Sequence, residues 1–163
     1  VGKLTTVALR VVLAAALAGS LFVQVRMVPL LSTDLEESGA DTGTRILALL
    51  IVVLGIVSVQ VTLVCVWRLL TMARRSAVFS HGAFRYVDII FWAVAAASVL
   101  VFALAVMLAP GEAAPGVVLL ICGASFLIAG VALIVRVLRT LLAQAVALDA
   151  EAKHLRTELD EVI

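Results

Sequence analysis

Charged residues in this chain come in clusters, and between the clusters the sequence is almost continuously apolar. Ile46–Trp67, Ile89–Gly111 and Ala113–Val135 contain no charged residue at all. A fourth run of similar length, Val11–Thr33, is interrupted only by Arg26. About 20 apolar residues at ~1.5 Å rise per residue cross a hydrocarbon layer of ~30 Å. Lipid offers no partner to an unpaired backbone N–H or C=O, so runs of this kind are helices. The pattern predicts an all-α integral membrane four-helix bundle with spans at about 7–31, 45–70, 81–109 and 116–138. These spans form a transmembrane domain, 1–142, and the fourth helix extends into a cytoplasmic C-terminal helix, 143–163. Lys3 and Arg10 ahead of "VVLAAALAGS", with an A-x-A at 16–18, look like a secretory leader. The apolar character continues to Leu31, so an uncleaved span is expected.

The connections carry the polar residues. An acidic loop, "STDLEESGADTGTR", follows the first span, and "PGEAAPG" marks a tight turn between the third and fourth. Between the second and third lies "RRSAVFSHGAFRYVD", Arg74–Asp88, where charge, aromatics, a histidine and a glycine crowd together. Ser80 is placed to cap the third helix, since its hydroxyl can accept from the free amides of the first turn. Phe79 and Phe84 then occupy the two positions of a hydrophobic staple. The stretch reads as a hinge. Small residues recur four apart at Ala14/Ala18, Ala93/Ala97 and Ser125/Ala129, and seven apart at Gly123 and Gly130, as in membrane helices that approach closely.

Composition sharpens the class. The chain is 64% hydrophobic and 14% charged, against about 25% charged in soluble domains. Net charge is +1, but the arrangement of charge is lopsided. With the N-terminus inside, ten of the twelve Lys and Arg residues lie on the cytoplasmic side, and Arg26 and Arg45 lie outside. Positive charge stays inside, so both termini are expected in the cytoplasm. Trp67, Phe79, Phe84, Tyr86, Phe91 and Trp92 gather at that same boundary, where aromatics anchor spans to the interface.

The run "SVQVTLVCVWRLLTMARRSAVFSHGAFRYVDII", Ser58–Ile90, and the terminus "LRTELDEVI", Leu155–Ile163, resemble a family of bacterial four-helix membrane proteins. It is the family built on the domain of unknown function 2975. The likeness covers essentially the whole chain and is most specific in the "VFS..AFR.VD" hinge and the "ELDEVI" tail. It implies a multi-pass protein of the bacterial cytoplasmic membrane. Family members are often encoded beside a small Cro/C1-type helix-turn-helix regulator, which implies a role in membrane-linked transcriptional control.

Ionisable residues within spans are functional candidates. Asp88 is the strongest, about seven residues (~10 Å) inside the third helix. Arg85 is three residues away and Arg68 stands at similar depth on the second helix, so a structural ion pair joining helices two and three is expected, with a protonation switch as its sharper alternative. Arg26 is expected to snorkel toward Asp34, Glu36 or Glu37. Gln24, Gln60, Ser58, Thr62 and Ser98 are expected to bond between helices rather than line a polar path. The two cysteines, Cys65 and Cys122, differ in depth by ~20 Å, too far for a disulfide. The acidic loop matches no calcium-binding spacing. Templates for phosphate binding, nucleophilic catalysis and haem ligation fail. No enzyme activity, cofactor or metal is expected.

The C-terminal helix is the most informative piece. Leu141, Ala145, Leu148, Ala152, Leu155, Leu159 and Val162 recur in alternating steps of four and three, the a/d seam of a coiled coil. Glu151 and Glu158 flank the seam on one side, Asp149 and Arg156 on the other. Such a seam calls for a facing helix. The expected function is a membrane-anchored regulatory or interaction protein holding a soluble helix-turn-helix regulator through this helix. Its partners are the lipid bilayer, that regulator and a second copy of the chain, without direct nucleic-acid binding. The alternative is a small transport-accessory or immunity-type membrane protein acting through its bundle and acidic loop.

Overall fold

The computed structural model describes residues 3–74 and 81–162. They form four helices: α1 Lys3–Glu37, α2 Thr42–Arg74, α3 His81–Leu108 and α4 Pro115–Val162. All four are long and apolar enough to cross a membrane. At ~1.5 Å per residue, the 28 residues of α3 already exceed a ~30 Å hydrocarbon layer. The 48 residues of α4 reach ~72 Å, more than twice that thickness.

The first two helices are longer than the predicted spans. The expected loop from Ser32 to Arg45 shrinks to Ser38–Asp41, because α1 runs on to Glu37. Polar residues sustain that last stretch: Ser32 Oγ donates to Pro29 O at 2.6 Å and Thr33 Oγ1 to Leu30 O at 2.7 Å. Gly39, at φ 70°, ends α1 in the left-handed conformation that glycine adopts without a Cβ penalty. Its N–H donates to Glu36 O at 3.2 Å. Asp41 then caps α2, its Oδ2 accepting from Gly43 N–H at 3.2 Å. At the other turn Pro115 opens α4 in the first-turn position where its missing N–H costs nothing. The Phe79 and Ser80 half of the predicted cap lies outside the described residues; Phe84 is half-buried in the first turn of α3.

The helices pack in chain order: α1 on α2, α2 on α3 and α3 on α4. Among the described residues no other helix pair comes into contact, so the bundle is an open row rather than a closed ring. Its interior is dominated by small side chains, with Leu13, Ile51 and Ile90 the larger exceptions. Ala83, Ala105 and Ala132 are buried together with Ser98 and Ser125, while Phe126, Leu127, Trp92 and Val99 face outward. That inversion of a soluble core follows from lipid being as apolar as leucine, which leaves close helix approach as the packing force.

Ser98 and Ser125 form the tightest joint. Ser98 Oγ donates to Ser125 O at 2.9 Å, and Ser125 Oγ returns a bond to Ser98 O at 2.9 Å. The pair joins α3 to α4 by side-chain-to-backbone bonds in both directions. Ser58 and Thr62 behave otherwise: their hydroxyls donate to Leu54 O and Ser58 O, each at 2.9 Å, within their own helix. They satisfy themselves and join nothing.

Ser125→Leu is expected to destabilise the fold by about 2–3 kcal/mol, because a branched side chain must force the two backbones apart. Ser125→Ala should cost about 1 kcal/mol, and Ser58→Ala less than about 0.5 kcal/mol. Unfolding titrations with a denaturing detergent in micelles read all three. Equal losses at Ser58 and Ser125 would refute the joint.

Candidate functional site

Asp88 is held by α4. Arg139 faces it with two nitrogens: Nε lies 2.5 Å from Oδ1, and Nη2 donates to Oδ2 at 2.7 Å. Arg136 Nη1 stands 3.5 Å from Oδ1, and its guanidinium lies over the Phe91 ring at 5.4 Å. The carboxylate is about one-third exposed, as is Arg139, so the protein covers most but not all of each charge.

This corrects the expected partners. Neither Arg68 nor Arg85 pairs with Asp88 among the described residues: Arg85 is exposed and Arg68 borders a groove with Ala14, Leu17, Val64 and Trp67. The physical reason is the register of the α3–α4 hairpin. With Ser98 opposite Ser125, antiparallel helices bring Asp88 level with the arginines that end the fourth span. The ion pair thus joins helices three and four, not two and three.

The other polar residues tie α1 to α2. Gln60 Nε2 donates to Gln24 Oε1 at 3.0 Å and reaches Ser20 Oγ at 3.4 Å. Arg10 donates to Thr71 Oγ1 at 3.4 Å with its guanidinium 5.9 Å from the Trp67 ring centre. Glu36 pairs with Arg45 at 2.6 Å across the α1–α2 turn, so the expected Glu36 contact goes to Arg45 instead of Arg26. Cys65 and Cys122 are free thiols. The grooves between α2, α3 and α4 are lined by apolar side chains with Ser58 and Thr62 among them. Among the described residues no three His, Cys, Asp or Glu side chains gather in a way that suits a metal ion.

The second candidate is the extension of α4. Within the bundle, the face turned to α3 is buried or half-buried at Ser125, Ile128, Ala132, Val135, Arg139, Leu142 and Val146. Continuing the same alternation of steps gives Asp149, Lys153, Arg156 and Asp160, all exposed. The face that would keep the helix on its own bundle therefore turns charged where the bundle ends. Leu141, Leu148, Leu155, Leu159 and Val162 lie roughly 100° around the helix from it, by the 3.6-residue turn. All are more than half exposed, and Glu151 and Glu158 beside them are exposed as well. Lys153 pairs with Asp149 at 3.1 Å and His154 with Glu158 at 3.4 Å, both one turn apart on the surface. These pairs support the helix itself by a few tenths of a kcal/mol and cover none of the leucines.

The family model for a protein of unknown function, DUF2975, matches residues 5–163, and the chain belongs to that family. Comparison with curated proteins and with solved structures gives no match.

Asp88→Asn and Arg139→Gln are each expected to lower stability by about 1–2 kcal/mol, the range for a charge-assisted bond that is partly screened. Arg139→Lys should recover only part, since an ammonium cannot make the two-pronged contact. Arg68→Gln and Arg85→Gln should each change stability by less than about 0.5 kcal/mol. Detergent unfolding of the single variants decides it: a larger loss at Arg68 or Arg85 than at Arg139 would overturn the assignment.

Proposed function

We propose that this DUF2975 protein is a membrane-anchored interaction protein, which holds a soluble helix-turn-helix transcription regulator at the cytoplasmic face through residues 143–163. The observation that carries the reading is the continuation of α4. One unbroken helix passes from the bundle into a tail whose residues from Ala147 to Val162 are exposed throughout. Exposed leucines in a regular seam call for a helical neighbour.

Charge supports the choice of a protein partner over nucleic acid. The tail carries Asp149, Glu151, Glu158, Asp160 and Glu161 against Lys153 and Arg156. An acidic helix repels phosphate backbones and attracts the basic surface with which a regulator meets DNA. Holding that surface at the membrane would keep the regulator from its operator, and releasing it would restore binding. The asymmetry of Lys and Arg argues for a cytoplasmic tail, hinge and N-terminus. The four spans then serve as the anchor, and Asp88 with Arg139 fixes the helix where it leaves the membrane.

The test is retention of the regulator on membranes. Membranes bearing the full chain should pull down the regulator, and a chain ending at Gln144 should lose it while still inserting. Leu148→Glu with Leu155→Glu should have the same effect, since each buried leucine is worth roughly 1.5–3 kcal/mol. Single cysteines at Ser38 and Ala113 should react with an impermeant thiol reagent from outside, and those at Ser76 and Thr157 should not. Retention by the truncated chain, or labelling of Thr157→Cys from outside, would end the proposal.

A further inference from the structure

The seam of the tail does not begin at the membrane surface. Counting back from Leu141 in the same steps gives Leu138, Ile134, Val131, Leu127, Ala124 and Leu120. One apolar stripe therefore runs from Leu120 to Val162, about six heptads and ~63 Å along a single unbroken helix. Every seventh residue from Leu120 is a large aliphatic side chain: Leu127, Ile134, Leu141, Leu148, Leu155 and Val162. Each of these is between 54% and 85% exposed; the stripe comes nearest its own bundle at Ala124, which is half-buried, and at Val131, which borders the groove between α2, α3 and α4.

We propose that this stripe pairs with the same stripe of a second copy, giving a parallel two-stranded α4–α4 coiled coil that starts inside the membrane and continues through the cytoplasmic tail. A soluble helix reaches only the part beyond the headgroups, and lipid covers only the part within the bilayer. A second α4 has both parts, in the same phase and of the same length. The membrane also fixes its direction, because two copies inserted alike present α4 pointing the same way.

The flanking residues fit that direction. With the leucines of every seventh position at d and Ala145, Ala152 and Leu159 at a, Glu151 falls at g and Arg156 at e. In a parallel pair the g residue of one helix meets the e residue five positions on in the other. Glu151 of each copy thereby faces Arg156 of the partner subunit, twice by symmetry. Within one helix these two residues lie five apart and are not surface neighbours, which occur three and four apart. Gln144, at the preceding g, faces Asp149 of the partner subunit, so the parallel register sets no like charges against each other.

The membrane half fits as well. Gly123 and Gly130 fall at g beside the stripe, and a Cβ built on either meets nothing within 4 Å. Space left beside glycines in a span lets a second helix backbone approach closely. Arg136 and Arg139 lie off the stripe at f and b, so the contact with Asp88 is undisturbed by pairing. Pairing leaves Lys153, His154, Asp160 and Glu161 on the outside, free for a soluble partner. In the pair the leucines hold the two tails together and the regulator docks on their outer faces, so Leu148→Glu with Leu155→Glu releases it by parting the tails.

Cysteine cross-linking in membranes from cells lacking the regulator tests it. In a full-length background with Cys65→Ser and Cys122→Ser, single cysteines are placed through Leu138–Leu159 and oxidised. Cross-linked dimer is expected at 141, 145, 148, 152, 155 and 159 and absent at 143, 147, 150, 154 and 157. Cross-linking at none of these positions, or without the heptad period, overturns the proposal. Glu151→Arg should lower cross-linking through Leu148→Cys roughly tenfold, since two attractive contacts become repulsive. Adding Arg156→Glu should restore it, and failure of that rescue would exclude the parallel register. Asp160→Lys with Glu161→Lys should release the regulator while leaving cross-linking unchanged, which separates loss of the held partner from loss of the pair.

Discussion

Inside a bilayer a hydroxyl, an amide or a carboxylate finds its partner within the protein or goes without one. This chain meets that constraint in three distinct ways. Ser58 and Thr62 turn their hydroxyls onto their own helix and become silent. Ser98 with Ser125, and Gln60 with Gln24, use a neighbouring helix and so become joints. Asp88, whose charge no neutral group balances, stands ten residues nearer the start of α3 than Ser98 and takes Arg139. The group most costly to leave unpaired thus has the strongest partner and the shallowest position, as the price of a buried charge requires.

The architecture was legible because the spans differ from everything else in the chain by the absence of charge over membrane-length runs. Loop lengths were less so. Ser32 and Thr33 look like loop residues, yet both bond to carbonyls of α1 from within the helix, and the true break waits for Gly39. Nearness in sequence and equal depth pointed Asp88 to the wrong arginines. A better signal was present in the tight turn at Glu112. Asp88 and Arg136 are each 24 positions from it, on opposite arms of a hairpin. Ser98 and Ser125 stand 14 and 13 positions from the same turn. The α1–α2 pairs obey the same rule about the turn after Gly39: Glu36 with Arg45, Gln24 with Gln60 and Arg10 with Thr71. Distance from a turn gives the level of a contact but not which neighbour takes it: Arg68 and Asp88 are also nearly level across the connection between α2 and α3, yet Asp88 turns to α4.

The open row of helices explains why α4 carries so much. α1 and α4 stand at the two ends of the row, each touching one neighbour among the described residues, so each leaves most of its circumference free. On α1 lipid accounts for that freedom, because the apolar positions stop near Leu35, where the spans end. On α4 the apolar positions continue past Leu138 as far as Val162, and lipid cannot follow them into water. The bundle-facing side of the same helix changes from Ala132, Val135 and Leu142 to Asp149, Lys153 and Arg156 over that distance. A helix meant to fold back would keep its apolar residues on the bundle side. Here they persist on the other one.

That division gives the Asp88–Arg139 contact a role beyond holding two spans together. Arg139 follows Leu138 directly and stands just ahead of Leu141, so the ion pair sits beside the apolar stripe of α4. Fixing Arg139 against α3 fixes the rotation of α4 about its own axis. Each residue of an α-helix turns it by about 100°, so a slip of one position at the pair would swing the whole tail seam to another side. The charge pair at the membrane surface therefore sets which way Leu148 and Leu155 point, about 10–25 Å farther out by helical rise. Stability of the bundle and presentation of the tail are thus two consequences of one contact. The carboxylate held between α3 and α4 lies where α4 leaves the packed bundle and continues as an exposed helix.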